Sequence, residues 1–388
     1  MVSFDNTAVA FSGKTDSDLR RSYWLFKMIG SPTFVSLGKG LTEFALKTHL
    51  PIKGIIKATI FKQFVGGETI EECAKTITEL GKFRIGTILD YSVEGKESEN
   101  DFDHCVAETI ATVERAKTDK NIPFCVFKVT GLARFTLLEK VSTGASLTQD
   151  ETQEYQRVQE RVDKICRTAH SYGQPIFIDA EESWIQPAID ELADAMMQRY
   201  NKKKCLVYNT FQLYRHDRLN FLKSSFDKAI KGNYYLGAKL VRGAYMEKER
   251  DRAAQHGYPS PINPNKEATD KLYDETLRFC LLHIDKIAIC AGTHNESSSK
   301  LLVELMQEYN VQPSHAHIYF SQLFGMSDHI SFNLSNAGYN VVKYVPYGPV
   351  REVLPYLIRR AQENTSVKGQ TGRELSLIIK EKQRRKQK

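Results

Sequence analysis

The sequence predicts an α/β fold, a (β/α)8 barrel preceded by a helical arm. Three observations carry that reading. Eight short stretches rich in apolar and β-branched residues recur between Phe83 and Val345. Helical segments fill most of the gaps between them, the texture of a parallel sheet covered on both faces. Eight such units over about 260 residues suit a closed barrel better than an open sheet. No GxGxxG follows the first stretch, so a dinucleotide-binding open sheet has no support.

The elements follow in order. Residues 1 to about 66 read as helix. Within them Ile52, Ile55, Ile56, Ile60, Phe61 and Phe64 alternate with Lys53, Lys57 and Lys62. Such a basic amphipathic helix either packs one face on a neighbouring domain or lies on an anionic membrane. Thr69 and Glu72 predict a capping box for a helix running through Ile70, Cys73, Ala74, Ile77 and Leu80 to Gly81. The strands are FRIGTILDY from Phe83, PFCVFKVT from Pro123, QPIFIDA from Gln174 and KCLVYNTFQ from Lys204. YLGAKLVRGAY from Tyr235, KIAICAGT from Lys286, AHIYFSQL from Ala316 and YNVVKYV from Tyr339 complete the set. Between strands, Thr148 and Glu151 cap a helix that runs to Gly173, and Trp184–Arg199 forms another. Glu247–Asn265, with Pro259, Pro261 and Pro264, reads as a long loop. Gly38-Lys39-Gly40 is too short a match to a phosphate loop. The division expected is a helical arm at 1–82, the barrel at 83–372 and a basic C-terminal helix or tail at 373–388.

Bulk properties narrow the class. The 388 residues are 41% hydrophobic and 10% aromatic, ordinary for a soluble globular chain. Part of the net charge of +7 lies in KEKQRRKQK at 380–388. That run reads as a disordered, solvated tail, with a nucleic-acid or membrane-surface contact as the alternative. Seven scattered cysteines without a CxxC pair suggest buried thiols in a reducing compartment, not a disulfide frame or zinc site. No apolar run approaches the ~18 residues of a membrane span, and Met1–Gly13 lacks a signal-peptide core. A cytoplasmic location is expected.

Barrels keep their chemistry at the C-terminal ends of the strands. Those ends carry Lys128, Asp179, Gln212 with Tyr214, Lys239 with Arg242 and Tyr245, Thr293-His294-Asn295, Gln322 and Tyr344. Singly, each has a plain explanation: Lys128 can snorkel to the rim, Asp179 can cap a helix, His294 can be structural. Together, cations at three strand ends suit an anionic ligand of some size. His294 has no partner at metal-ligand spacing, so no metal is expected. Asn265 can cap a helix with Lys266 and Thr269 in its first turn, which is either a plain cap or a pyrophosphate site.

After the last strand, Gly348-Pro349 opens a helix with Pro at a first-turn position. Val350, Val353, Leu354, Leu357, Ile358 and Ala361 mark its apolar face, and Tyr356, Arg359, Arg360 and Glu363 fall on the other side. The adjacent arginines either decorate a solvated surface or grip a planar carboxylate, with Glu363 one turn on to hold them.

FKVTGL, IDAEE, KLVRGAY, THN, QLFGM and KYVPYG…PYLIRRAQEN resemble, in matching order from about Phe83 to Asn364, the motifs of the proline dehydrogenases. The double arginine and KLVRGAY are the specific ones. The resemblance implies a distorted (β/α)8 TIM barrel that holds FAD and lays its last helix over the barrel mouth. It implies oxidation of L-proline to Δ1-pyrroline-5-carboxylate by hydride transfer to the flavin, with electrons passed to a quinone at a membrane. By the same resemblance, Arg359 and Arg360 clamp the proline carboxylate, Lys128 adds a third cation, and Asp179 pairs with this network from below. Tyr344, Tyr245 and Leu323 wall the ring. Lys239 and Arg242 stand near the flavin pyrimidine, and Glu363 bridges from the arginines towards the flavin edge. Gln212, Val241, Gly243, Ala244, Tyr245, Thr293, His294, Asn295 and Gln322 line the cofactor, and Lys266 and Thr269 meet its phosphate and ribose.

There are departures. Many bacterial members have arginine at the Lys239 position and tryptophan at that of Met246. GAYMEKER is closer to the eukaryotic branch, although no mitochondrial presequence is visible. No aldehyde dehydrogenase module follows, which implies a monofunctional form and a separate pyrroline-5-carboxylate dehydrogenase to receive the product. Tyrosine at 344 favours proline over hydroxyproline, the alternative substrate. Two other readings remain: an aldolase with Lys128 as Schiff-base nucleophile, and a nucleic-acid-binding protein built on the basic tail.

Overall fold

The structure, a computed structural model, describes residues 2–30, 53–92, 97–366 and 370–387, with the side chains at 53, 55, 361–366, 370 and 371 left aside. Gly38-Lys39-Gly40, Ile52 and the side chains of Lys53, Ile55, Ala361 and Glu363 lie outside the described residues. Each of the eight predicted stretches contains a strand: β1 Ile85–Tyr91, β2 Phe124–Lys128, β3 Ile176–Asp179, β4 Val207–Gln212, β5 Leu236–Val241, β6 Ile287–Gly292, β7 Ile318–Leu323 and β8 Val341–Tyr347. All pair in parallel in chain order, and β8 returns to β1 to close the barrel.

Alternation along each strand divides the side chains between two cores. Ile88, Phe124, Val126, Phe177, Cys290 and Tyr344 fill the inside of the barrel, with the Phe124 and Phe177 rings stacked 4.5 Å apart. The opposite faces pack on the surrounding helices in a larger core that includes Leu89, Cys125, Ile178, Leu240 and Phe320. The seven cysteines are free and buried.

The sequence capping signals succeed in two places, and Asn295, read only as a site residue, adds a third cap. Thr148 and Glu151 form a capping box on the helix Gln149–Tyr172, which ends at Gly173 with φ +67°. Asn265 caps Lys266–Leu282 by accepting from the Ala268 N–H at 2.8 Å. Asn295 caps Glu296–Glu308.

Four expectations need correction. The Thr69–Glu72 box forms only in half: the Thr69 hydroxyl accepts from the Glu72 N–H at 3.3 Å, but regular helix begins at Ala74, and the Glu72 carboxylate accepts from the Glu68 N–H. Glu247–Asn265 is not one loop, because Met246–His256 is helical and anchored by buried Glu249, which accepts from the Ser183 N–H at 2.7 Å. Pro349 is the residue before the helix Val350–Ser366, with its carbonyl accepting from Val353 N, so it caps the helix and does not occupy the first turn. The basic C-terminal run is not disordered. Gln370–Lys386 is a helix held by buried Leu377 and Ile378 and by Arg384 and Arg385 on Glu381.

That last helix belongs to a second core. Phe26 and Ile29 of Asp16–Ile29, Phe61 and Phe64 of the Lys53–Phe64 stretch, Val353 and Leu357 of the helix after β8, and Leu377 with Ile378 pack in one cluster. The amphipathic stretch therefore spends its apolar face on the neighbouring helices. Arm, post-β8 helix and C-terminal helix cover one another.

Candidate active site

Side chains two apart on a strand share a face, so the inner face that holds Ile88, Val126 and Phe177 also holds Asp90, Lys128 and Asp179 one step nearer the mouth. Lys128 and Asp179 are register partners across β2 and β3. Lys239 reaches Asp179 from β5, its ammonium donating to the carboxylate at 2.6 Å and to the Tyr344 hydroxyl at 2.6 Å. The Tyr344 hydroxyl donates to the same Asp179 oxygen at 2.9 Å. All three side chains are buried, and the Lys239 ammonium lies 4.2 Å from the Tyr344 ring centre. Burial, with the Asp179 charge beside it, holds the Tyr344 phenol well above its usual range.

Lys128 forms its ion pair with Asp90, at 3.3 Å. Sequence reasoning missed Asp90, although its signal was available: in FRIGTILDY it stands two residues beyond Ile88, on the inner face. Glu181, within the IDAEE stretch, was not singled out from the sequence. It is buried, accepts from the Thr130 N–H at 3.0 Å and from the Thr130 hydroxyl, and burial pushes its carboxyl up to about 7.

On the helix after β8, two residues of the predicted polar side are buried. Arg360 is only 8% exposed and Tyr356 is buried, the guanidinium 5.4 Å from the tyrosine ring. Arg359 is half-buried, whereas Arg351 and Pro355 face water. Of the two readings the sequence left open for that side, the burial of Tyr356 and Arg360 goes against a purely solvated surface, and Tyr356 packs in the second core.

A second polar group surrounds the end of β6. Arg242 donates to Asp270 at 2.8 Å, to the Thr293 hydroxyl at 2.6 Å and to the Ser298 hydroxyl at 3.0 Å. Lys266 pairs with the same Asp270. His294 Nδ1 shares a hydrogen bond with the Ser327 hydroxyl at 2.9 Å. Burial, followed by the positive charges of Lys343 and Arg360, pushes its imidazole down to about 3, so it is neutral. Asn295 is occupied as a helix cap, and Thr269 shares its hydroxyl with Asn263. Gln322 faces away from the barrel interior, donating to the Thr293 carbonyl and accepting from Ser331, so it props the Thr293–Asn295 loop from behind. Val241 ends β5, and Gly243, Ala244 and Tyr245 lead into Met246–His256. Gly243 has φ +136°, and a Cβ there would lie 2.5 Å from the Tyr214 ring, so only glycine fits. Leu323 ends β7 beside Tyr344, its register partner. Glu363 lies on the same helix as Arg359, with its side chain outside the described residues.

These residues fit a flavin nucleotide. Gln212 donates its amide to the Glu181 carbonyl at 2.8 Å and leaves a buried Oε1 without a partner, an acceptor suited to a ring N–H. Arg242, Lys266 and the N-terminus of Lys266–Leu282 offer donors of the kind a pyrophosphate takes.

Ionisable groups gathered at the C-terminal mouth of an eight-stranded parallel barrel are the arrangement of a barrel enzyme. The family model described as proline dehydrogenase matches residues 73–373, and the chain belongs to that family of FAD-dependent oxidoreductases. Mitochondrial proline dehydrogenase 1 of Dictyostelium discoideum is 37% identical over 428 residues, covering 98% of this chain and 74% of the relative. The human mitochondrial proline dehydrogenase 1 is 40% identical over 265 residues, covering 66% of this chain and 44% of its own length. CarD, a carbapenem antibiotics biosynthesis protein of Pectobacterium carotovorum, is 32% identical, with 93% of this chain and 94% of CarD covered. Among solved structures, proline utilization A from Bdellovibrio bacteriovorus superposes with a TM-score of 0.74 at 21% identity, covering 93% of this chain and 38% of that one. That likeness shows the fold.

Lys239→Met leaves the Asp179 carboxylate buried without its cation and is expected to cost about 3–5 kcal/mol in urea denaturation. Lys239→Arg should recover much of that. Glu181 has a folded-state value near 7, above its ordinary 4.5, so the folded chain binds a proton that the unfolded chain has released. Its stabilising contribution is full below about 4.5 and is lost as pH rises through about 7. Glu181→Gln should flatten the fall in thermal midpoint across that window, read by calorimetry.

Proposed function

We propose that the chain binds FAD at the barrel mouth and oxidises L-proline to Δ1-pyrroline-5-carboxylate, with a quinone as the onward electron acceptor. The observation that carries this reading is the buried Arg360 on the helix after β8, together with the Lys239–Asp179–Tyr344 cluster and the Lys128–Asp90 pair. FAD supplies the hydride acceptor that carbon–nitrogen oxidation requires. The chain's own residues bind, orient and exclude water. Arg359 and Arg360 take the substrate carboxylate, each able to donate two parallel hydrogen bonds, which fixes the distance and angle of the ring. Lys128 is the third cation on that side, and Asp179 neutralises Lys239 beneath it. Tyr344, Tyr245 and Leu323 wall the ring, and tying the Tyr344 hydroxyl to Lys239 and Asp179 keeps its ring from swinging aside.

Gln212, Lys239, Arg242, Lys266, Thr269, Thr293, His294 and Asn295 hold the cofactor in this reading, with the Val241–Tyr245 segment and Glu363 beside them and Gln322 as support. Neutral His294 adds no charge to a mouth already crowded with cations. The division into arm 1–82, barrel 83–372 and C-terminal helix 373–388 is part of the proposal. So are a pyrroline-5-carboxylate dehydrogenase as recipient of the product and a peripheral membrane contact for reaching quinone. No helix among the described residues is long and apolar enough to cross a membrane. Seven buried free thiols suit a reducing compartment such as the cytoplasm, and several relatives are named mitochondrial.

The other readings lose ground. An aldolase needs a neutral lysine nucleophile, whereas Lys128 sits in an ion pair with Asp90. A nucleic-acid contact through the C-terminal helix would compete with Arg385 on Asp16 and Glu381 and with Lys382 over the Tyr23 ring.

Arg359→Lys and Arg360→Lys should each raise KM for proline about tenfold or more, because a charged bidentate contact is worth about 1.5–3 kcal/mol. The visible flavin spectrum should persist in both, and unchanged proline kinetics would remove the pair from the clamp. Tyr344→Ser should raise turnover of hydroxyproline relative to proline, a ratio that stays fixed if Tyr344 does not face the ring. Anaerobic addition of L-proline to the purified yellow protein should bleach it; a colourless or unresponsive protein rejects the reading as a whole.

A further inference from the structure

The C-terminal helix Gln370–Lys386 does more than cover apolar surface. Its first full turn plugs a carboxylate, Glu374, into the end of the barrel between β7 and β8. There the Ser327 N–H donates to Glu374 Oε1, while the Ser327 carbonyl accepts from Ile330 N at 3.0 Å and Ser331 N at 3.1 Å. Ser327 is fully buried and has φ +50°, a left-handed conformation unfavourable for a residue with a Cβ. Such a conformation persists where the surroundings over-determine it. The Ser327 hydroxyl meets His294 Nδ1 at 2.9 Å. One chain of contacts thus runs from Glu374 through Ser327 to the imidazole at the mouth.

We propose that Glu374 is a positioning residue: its carboxylate locks Ser327, and Ser327 fixes the ring plane of His294, so the helix following the lid presets a cofactor-facing group. The inference rests on the proposed flavin site for what His294 meets, but the link itself is internal to this chain.

The surroundings argue against simple helix docking. A carboxylate needs only exposed partners to anchor a surface helix, and Arg373 next door already does that with Glu296 at 2.7 Å and Asp5 at 2.7 Å. Glu374 is instead buried, beside His329 at 4.0 Å and near the Lys343–Asp328 pair, itself 2.7 Å long. Burial raises its carboxyl above the ordinary value, the sign of a charge placed where water would serve it better. Burial likewise lowers Lys343, which donates to the Met326 carbonyl at 2.6 Å and so fixes the residue before Ser327. The turn Met326–Ser327 is held from both sides, and its one side chain directed at the mouth is the Ser327 hydroxyl.

Selective 15N labelling of histidine in the full-length protein, with His294 assigned by His294→Gln, reads the ring-nitrogen shifts of His294 directly. Glu374→Ala and Ser327→Ala should each shift and broaden them, whereas Glu374→Gln, which still accepts the Ser327 N–H, should retain the wild-type signal. FAD dissociation should rise about threefold to tenfold in the two alanine variants, the range of one hydrogen bond. The double variant should be no worse than either single one, because the two act in series. Arg373→Ala is the comparison: it should lower the thermal midpoint and leave the His294 signal unchanged. An unaltered His294 signal in Glu374→Ala overturns the inference, even if that variant is less stable. A wild-type protein that takes up no flavin would reject the functional reading, while the histidine spectrum would still decide this one.

Discussion

An ammonium group inside a parallel barrel is the constraint on which the rest of the site depends. Lys239 sits among Phe177, Tyr344 and the wall of the barrel, where an isolated charge would be prohibitive. It is tolerable because Asp179 on β3 and the Tyr344 hydroxyl on β8 converge on it from opposite sides of the closed sheet. Closure is what makes the convergence possible: β3, β5 and β8 are never adjacent in strand order, yet their inner faces look into one space. An open sheet with the same residues would put the lysine and its partners on a flat face, spaced by strand widths of about 5 Å.

The cluster in turn shapes what can bind above it. With Asp179 matched to Lys239 and Asp90 to Lys128, the floor of the mouth is close to neutral as pairs. A small carboxylate matches the planar geometry of a guanidinium such as that of buried Arg360. The lid is held down by the apolar cluster it shares with the arm and the C-terminal helix. Segments more than 250 residues apart in sequence therefore jointly set the height of the arginines above the floor.

What could be read from the sequence was local. The strands announced themselves by continuous apolar runs, because a strand buried on both faces has no room for polar alternation. Thr148 and Asn265 were legible as caps, since capping uses a side chain within three residues of its target. Pairings across the barrel were not legible in the same way. Lys128 and Asp90 are 38 residues apart, and nothing local distinguishes their pairing from one between Lys128 and a ligand. The C-terminal run looked like a tail because its charges outnumber its apolar residues; Leu377 and Ile378 suffice to dock it only because the arm offers them a complementary groove. The Thr69–Glu72 pattern failed for the converse reason, as Lys57 and the Glu68 N–H compete for the Glu72 carboxylate.

Strand-end position alone was too coarse a rule, and alternation refines it. On β7, Tyr319 packs inside the barrel and Leu323 borders both the barrel interior and the lid core, so Gln322, between Ser321 and Leu323, must point the other way. Its hydrogen bonds to the Thr293 carbonyl and Ser331 follow from that parity. On β5, Lys239 is inward, and Arg242, three residues on, leaves the interior to join the helices behind β6. Counting by twos from Ile88 finds Asp90, and from Phe177 finds Asp179. Two residues on a strand-end list can therefore act in different layers, one touching the ligand space and the other holding the loop that does. The barrel's pleat, more than the chemical character of each residue, decides between those roles.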